Sequence, residues 1–132
     1  MNNSKNRIMG IDYGSKRVGL ALSDPSLKFA MPLSVVSNDP ELLAKVQKIA
    51  VDNEVKEIVI GESKDYKGNA NPILLDSLEF KAKLESLGFV VYFEPEFMTS
   101  VQAERLQGKT DLLDASAAAL ILQSYLDKEK SM

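Results

Sequence analysis

The stretch IMGIDYGSKRVGLALSD, from Ile8 to Asp24, contains two apolar runs separated by the short polar segment GSKR. Apolar and β-branched runs of this length on either side of a glycine-containing turn predict a β-hairpin. Asp12 lies inside the first run, where burial of a carboxylate costs free energy unless another group compensates its charge. Asp12 is therefore either a turn residue that hydrogen-bonds within the DYGS segment, or a metal ligand on a strand where Gly10 and Gly14 leave backbone room for a phosphate.

The sequence around this hairpin alternates between strand and helix periods. We predict strands at Arg7–Tyr13, Val18–Ser23, Ala30–Val36, Lys56–Gly61 and Phe89–Glu94. We predict helices after the Asp39-Pro40-Glu41 cap, from Pro72 to Leu87, from Thr99 and from near Asp114. Pro32 indicates that the third strand lies at a sheet edge, because proline has no N–H to donate to a neighbouring strand. The order β-β-β-α-β-α-β-α-α predicts an α/β domain with a mixed sheet.

The composition excludes several classes of chemistry. The chain contains no cysteine and no histidine, so it cannot form a disulfide framework, a Cys/His zinc site, a thiol nucleophile or a Ser-His-Asp triad. A metal bound by side chains must therefore accept mainly oxygen ligands, as Mg²⁺ and Mn²⁺ do. The formal net charge of -3 provides no general attraction to nucleic acid, although a local basic surface can still bind phosphates.

The sequence also indicates how the chain is organised and where it works. It has no apolar run near the roughly 18 residues that a membrane span needs. Its MNNSKNR start has no signal-peptide core behind it. We therefore expect a cytoplasmic protein without a membrane partner. A length of 132 residues favours a single domain over residues 1–132, long enough to bury an ordinary core.

Four acidic residues come at the ends of predicted strands or at the start of the last helix. Glu62 follows the fourth strand, Glu94 and Glu96 come at the end of the fifth, and Asp114 begins the helix. Ligands of open α/β sheets bind in the crevice beyond the carboxyl ends of the strands. Glu96 is favoured over Glu94 because it lies on the loop that leads into the Thr99 helix. Each residue also has an ordinary interpretation, which is solvation for the glutamates and helix capping for Asp114.

Two further features belong to the same predicted crevice. The small residues from Ala115 to Ala119 would let the last helix approach the sheet closely and would bring Asp114 toward the strand ends. Six basic residues are also predicted near this end, where together they would form a rim that contacts phosphates, although each alone is typical of a solvated surface. They are Lys16, Arg17, Lys64, Lys67, Arg105 and Lys109.

Three separated motifs give the chain a family resemblance. GIDYGSKRVGLALSD, EFMTSVQAERL and DASAAALILQSYL occur in this order between about Ile8 and Leu126. In these motifs the chain resembles the YqgF family of candidate pre-16S ribosomal RNA nucleases, which are also described as Holliday-junction-resolvase-like. The resemblance implies a ribonuclease-H-like fold, with helices packed against a five-stranded mixed sheet. It also implies metal-dependent phosphodiester cleavage by a single nuclease domain.

The resemblance assigns roles to three of the acidic residues. The first aspartate of the family falls on Asp12, its loop glutamate on Glu96 and its helix aspartate on Asp114. As catalytic residues they would bind Mg²⁺ or Mn²⁺, which polarises the phosphoryl group and activates water. These are the carboxylates that the predicted topology had already gathered at one end of the sheet.

Two positions depart from the family pattern. Phe97 stands where typical members have an arginine. The segment GES replaces a GLP-like segment, and its Glu62 adds an acid that is a further candidate metal ligand. Another basic residue, Lys16, Arg17 or Lys64, would then have to replace the phosphate contact of the missing arginine.

The predicted function is 5′ maturation of pre-16S ribosomal RNA. Cleavage of branched DNA by a Holliday-junction resolvase is an alternative, and such an enzyme would be a two-fold homodimer because it cuts two strands symmetrically. Phe97 and the acidic net charge favour another alternative, a catalytically inactive module that binds nucleic acid. The first motif is also similar to the phosphate loop of actin-like ATPases and sugar kinases, which need two such domains.

Overall fold

The computed structural model describes residues 7–62, 72–95 and 111–130. The described residues form five strands, β1 (Arg7–Tyr13), β2 (Arg17–Ser23), β3 (Ala30–Ser37), β4 (Val55–Glu62) and β5 (Val90–Pro95). They also form three helices, α1 (Leu42–Asp52), α2 (Pro72–Ser86) and α3 (Asp111–Lys130). Both ends of every strand lie within one residue of the prediction.

The five strands form one mixed sheet in the order β3-β2-β1-β4-β5. β1 pairs antiparallel with β2, and β2 with β3, whereas β1, β4 and β5 run parallel to one another. The connections from β3 to β4 and from β4 to β5 contain α1 and α2, as crossovers between strands require. The predicted five-stranded α/β arrangement is therefore confirmed.

β3 lies at an edge of the described sheet, as Pro32 predicts. The pairing register shifts within this strand, because Leu20 pairs with Ser34 while the next residue of β2, Ala21, pairs with Pro32. Leu33 is therefore an extra residue on the edge strand, which makes this irregularity a β-bulge.

Alternate residues of the sheet face two different helical layers. On one face, large side chains such as Met9, Ile11 and Ile60 pack with α1 and α2. On the other face, Ile8 and Val59 pack with α3. Val59 and Ile60 are adjacent and both fully buried, so β4 is buried on both faces of the sheet.

The start of α1 differs from the prediction. The helix begins at Leu42, and Glu41 in the N-cap position makes no side-chain capping bond. The Glu41 N–H donates to Asp39 Oδ1 at 2.9 Å, and Lys45 Nζ donates to Asp39 Oδ2 at 3.0 Å. The predicted Asp39-Pro40-Glu41 cap is wrong because these residues close a separate turn before the helix, in which the Leu42 N–H donates to the Asp39 carbonyl oxygen.

The other two helices agree more closely with the sequence. α2 begins at the predicted Pro72 and is followed by Gly88, whose φ of +103° is the left-handed conformation that ends many helices. α3 begins at Asp111, three residues before the predicted start, so Asp114 belongs to its first turn. The predicted helix from Thr99 lies outside the described residues. None of the described helices is both long and apolar enough to cross a membrane.

Candidate active site

Asp12 lies near the carboxyl end of β1, on the face that α3 covers. In β1, Ile8 and Gly10 face α3, whereas Ile11 faces α1 and α2. Because side chains alternate along a strand, Asp12 projects to the same face as Gly10. Asp12 is half-buried, and its partner in the neighbouring β2 is Gly19. That partner places no side chain beside the carboxylate.

Gly10 lets α3 approach the backbone of β1 directly. A Cβ atom at this position would lie 2.7 Å from Leu122 Cβ and 2.8 Å from the Ala118 carbonyl oxygen. Ala118 is fully buried, which agrees with the predicted close packing of the alanine-rich segment. The prediction that Gly10 leaves room for a phosphate is wrong, because α3 occupies that space. At Gly14 a Cβ would lie 2.5 Å from the Arg17 carbonyl oxygen, so the turn between β1 and β2 requires glycine at this position.

The direction of α3 determines which end of the helix lies near Asp12. Ala118 lies over Gly10, and Leu126, about two turns later, lines a groove with the start of β1. α3 therefore runs opposite to β1, and its first turn lies toward the carboxyl end of the strand. Asp114 precedes Ala118 by about 6 Å along the helix, and Asp12 follows Gly10 by about 6.6 Å along the strand. The backbone of Asp114 is therefore level with Asp12.

Glu94, near the carboxyl end of β5, is bound by α3. Its Oε2 accepts a hydrogen bond from Ser124 Oγ at 2.8 Å and forms an ion pair with Lys128 Nζ at 2.6 Å. Only 4% of Glu94 is exposed, so its ordinary interpretation as a solvated surface residue is wrong. No local pattern in the sequence could have revealed this contact, because Ser124 lies 30 residues away along the chain.

The remaining predicted site residues fall into two groups. Glu62 ends β4, next to β1 in the sheet, and Lys16 and Arg17 lie where the chain turns from β1 into β2, at the same end of the sheet as Asp12. Outside the described residues lie Glu96, Phe97, Lys64, Lys67, Arg105 and Lys109. Within the part of the chain that the structure describes, no three acidic side chains are close enough to hold a metal ion.

Asp39, in the turn before α1, places a further negative charge at this end of the sheet. Its neighbour Asn38 donates from Nδ2 to the Gly14 carbonyl oxygen at 2.7 Å, which ties this turn to the one after β1. The side-chain hydrogen bond from Lys45 is the main cause that lowers the pKa of Asp39, and the Glu41 N–H adds to it. Asp39 is therefore an ionised member of a surface ion pair at neutral pH rather than a proton donor.

The sequence matches between this chain and known proteins cover nearly its whole length. Residues 6–128 match the model of a family described as RuvX, Holliday junction resolvase. A protein of Streptococcus pyogenes serotype M49 (strain NZ131), named "Putative pre-16S rRNA nuclease", is 34% identical over 136 residues, covering 92% of this chain and 98% of that protein. A protein of Streptococcus uberis with the same name is 35% identical with the same coverage.

Solved structures with a similar fold include two resolvases. T. thermophilus RuvC in complex with a Holliday junction substrate has a TM-score of 0.60 at 15% identity, and the match covers 95% of this chain and 96% of that chain. The fowlpox virus Holliday junction resolvase has a TM-score of 0.55 at 14% identity, with 92% and 99% covered. At such low identities the similarity concerns the fold alone, and it confirms the ribonuclease-H-like arrangement that the motifs imply.

Proposed function

Because this chain belongs to the RuvX family of Holliday junction resolvases, we propose that it is a metal-dependent endonuclease that cleaves phosphodiester bonds in ribosomal RNA precursors. The observation that carries this proposal is the position of Asp12, half-buried at the carboxyl end of β1 and level with the first turn of α3. Ligands of open α/β sheets bind at this edge. The names of the curated relatives favour a precursor of 16S ribosomal RNA as the substrate.

In this proposal Asp12, Glu96 and Asp114 supply the carboxylates of the active site. Their donor atoms are all oxygens, which fits a hard divalent cation such as Mg²⁺ or Mn²⁺. Asp12 also fits because it is half-exposed and has a glycine beside it in β2, so a cation and a phosphate can reach it. When bound, the cation supplies a Lewis acid for the phosphoryl group and acidifies an attacking water. Glu62 is proposed as an additional acid.

The basic residues are assigned to the nucleic-acid backbone. Lys16 precedes β2 and Arg17 begins it, so both lie at the end of the β1–β2 hairpin where Asp12 is found. Contacts of this kind position a phosphate backbone without reading its sequence. Four further residues are assigned to the same role, namely Lys64, Lys67, Arg105 and Lys109.

We propose that residues 1–132 act as one nuclease domain in the cytoplasm, where bacteria such as those of the curated relatives transcribe ribosomal RNA. Cleavage of branched DNA is a second candidate function, favoured by the description of the family and by the junction-bound structure with the same fold. If that function is correct, we propose a two-fold homodimer, because a symmetric junction is cut on two strands.

The test measures cleavage of labelled precursor ribosomal RNA, four-way DNA junctions and single strands with Mg²⁺ or Mn²⁺. Asp12→Asn keeps the side-chain size and removes the charge, so we expect cleavage to fall to background. The matched control is Asp52→Asn, at the end of α1. Its 3.1 Å ion pair with Lys48 is exposed and worth little, so we expect unchanged cleavage.

Each result of this experiment separates two hypotheses. Cutting of precursor RNA that disappears only in Asp12→Asn would establish the proposal, whereas cutting of junctions alone would favour the second candidate. Cutting that survives in folded Asp12→Asn would contradict the role assigned to this aspartate. A wild-type protein that binds nucleic acid without cutting it would be the inactive binding module instead.

A further inference from the structure

β5 and α3 are joined by two chemically different contacts. Tyr92 stacks on Tyr125 with ring centroids 5.8 Å apart, and two residues later Glu94 binds α3 through its carboxylate. The aromatic pair already attaches the helix to the strand through apolar surface. The carboxylate contact is of another kind, since Glu94 is 4% exposed while the Lys128 side chain that it pairs with is 59% exposed.

A buried carboxylate is a costly way to join two elements of a fold. Removing the charge from water costs free energy that an ion pair often fails to repay, and an apolar side chain in the same place is often as stabilising or more so. A charged contact does, however, define direction. Ser124 and Lys128 are one helical turn apart, so together they fix the Glu94 carboxylate at two points along α3.

We propose that Glu94 is a positioning residue for the metal site, an inference that rests on the proposed function. Glu96, one of the proposed ligands, follows β5 directly in the chain. Asp114, another proposed ligand, lies in the first turn of the helix that carries both partners of Glu94. The Glu94 contacts therefore join the strand that leads into one ligand to the helix that bears the other. They add a directional contact to the apolar attachment that Tyr92 and Tyr125 already provide between β5 and α3.

The test measures the Mn²⁺ dissociation constant by isothermal titration calorimetry in the absence of nucleic acid. It also measures, well below the melting temperature of each protein, the Mn²⁺ concentration that gives half-maximal cleavage, and the two values should change together. We expect Glu94→Gln to raise this concentration by up to about tenfold. Loss of a group that hydrogen-bonds directly to a metal ligand typically costs about 10- to 100-fold, and Glu94 acts less directly, through its contacts with α3. The KM for the nucleic acid should change much less. As a matched control, Glu85→Gln breaks a 2.8 Å ion pair with Lys81 inside α2 and should leave the Mn²⁺ requirement unchanged.

Lys128→Met distinguishes positioning from a simple effect of charge. Glu94→Gln removes a negative charge on the face of the sheet that α3 covers, which by electrostatics alone would weaken cation binding. Lys128→Met removes a positive charge, so electrostatics alone predicts a lower Mn²⁺ requirement. Positioning predicts the opposite, because the loss of Lys128 releases Glu94 just as the loss of the carboxylate does. We therefore expect the half-saturating Mn²⁺ concentration to rise in both variants.

Ser124→Ala provides the same test without any change of charge, and it decides the question if either charge variant fails to fold. We expect a smaller rise of the Mn²⁺ requirement in the same direction. Unchanged Mn²⁺ curves in the folded variants would overturn the positioning role, as would a lower requirement in Lys128→Met. These failures would leave the nuclease assignment intact. A wild-type protein without cleavage in Mn²⁺ or Mg²⁺ would instead overturn the proposed function and this inference with it.

Discussion

The two faces of the sheet are packed by different means. Toward α1 and α2 the sheet presents large side chains such as Met9 and Ile11, which share one core with Leu84 of α2. Toward α3 it presents Gly10, over which Ala118 of the helix lies in near-contact with the strand backbone. Large side chains can repack when a neighbour changes, whereas a helix resting on a glycine has no adjustable group beneath it.

This difference indicates which face is better suited to hold a chemical site. Asp12 projects from the α3 face, where the separation of helix and strand is set by the backbone. Catalytic groups lose much of their effect when they are misplaced by about 1 Å. The α3 face fixes that separation, while the opposite face mainly supplies buried apolar area. Substitutions on the two faces should therefore separate stability from activity.

The largest loss of stability is expected on the face of large side chains. Leu84 is fully buried in that core, and Leu84→Ala removes three carbon atoms and leaves a cavity. We expect the free energy of unfolding, measured with urea, to fall by about 2–5 kcal/mol. Cleavage by the fraction that remains folded should stay close to the wild-type rate. A folded Leu84→Ala protein that has lost cleavage would break the proposed division between the two faces.

A smaller loss of stability but a larger loss of activity is expected at Gly10. In Gly10→Ala the new Cβ would lie 2.8 Å from a backbone oxygen of Ala118, so the helix itself has to shift. We expect the free energy of unfolding to fall by about 1–3 kcal/mol. The rate of cleavage by the folded protein should fall more than it does in Leu84→Ala, because α3 carries Asp114.

Gly88→Ala is the matched control for that substitution. Gly88 has a φ of +103° and no atom within 4 Å of a new Cβ, so alanine there adds backbone strain without displacing a neighbour. We expect a loss of about 1 kcal/mol and unchanged cleavage. Equal cleavage by Gly10→Ala and Gly88→Ala would show that the close packing of α3 against β1 at Gly10 has no importance for activity.

The smallest effect is expected in the loop between β2 and β3, which lies outside both cores. Asp24 accepts hydrogen bonds from the Ser26 hydroxyl and from the N–H groups of Lys28 and Phe29. The Ser26 hydroxyl, followed by the Phe29 N–H, lowers the pKa of Asp24 below its ordinary value of about 4. A lowered pKa in the folded state contributes stability above the ordinary value, and this contribution is lost as the pH falls toward the folded-state pKa.

Asp24→Asn should therefore lower the melting temperature by a few degrees at most near pH 7. The difference between wild type and variant should shrink as the pH falls below about 4, because the unfolded wild type then takes up a proton that the folded state resists. Thermal melts at a series of pH values measure this directly. A difference that stays constant down to about pH 2 would exclude the charge of Asp24 as the cause.

The sequence predicted those features that depend on neighbouring residues in the chain, and it missed those that depend on contacts between distant residues. The strands were predictable because their alternation and turn glycines are local patterns, but the turn at Asp39 contains the same residue types as a helix cap. The burial of Glu94 could not be predicted, since its partner Lys128 is distant in the chain. Gly10 was recognisable as a position of close approach to the backbone, but the sequence predicted a phosphate there and the structure places α3 there. The role of Glu96 remains a prediction.

The β-bulge in β3 also protects the exposed edge of the sheet. Phe29, Met31 and Leu33 are exposed apolar side chains beside or within β3, and an open edge of this kind can pair with a strand of another molecule. Pro32 offers no N–H to such a strand, and the extra residue interrupts the regular spacing of donors and acceptors. At this edge the chain therefore resists growth into intermolecular sheets, the route by which exposed apolar strands aggregate.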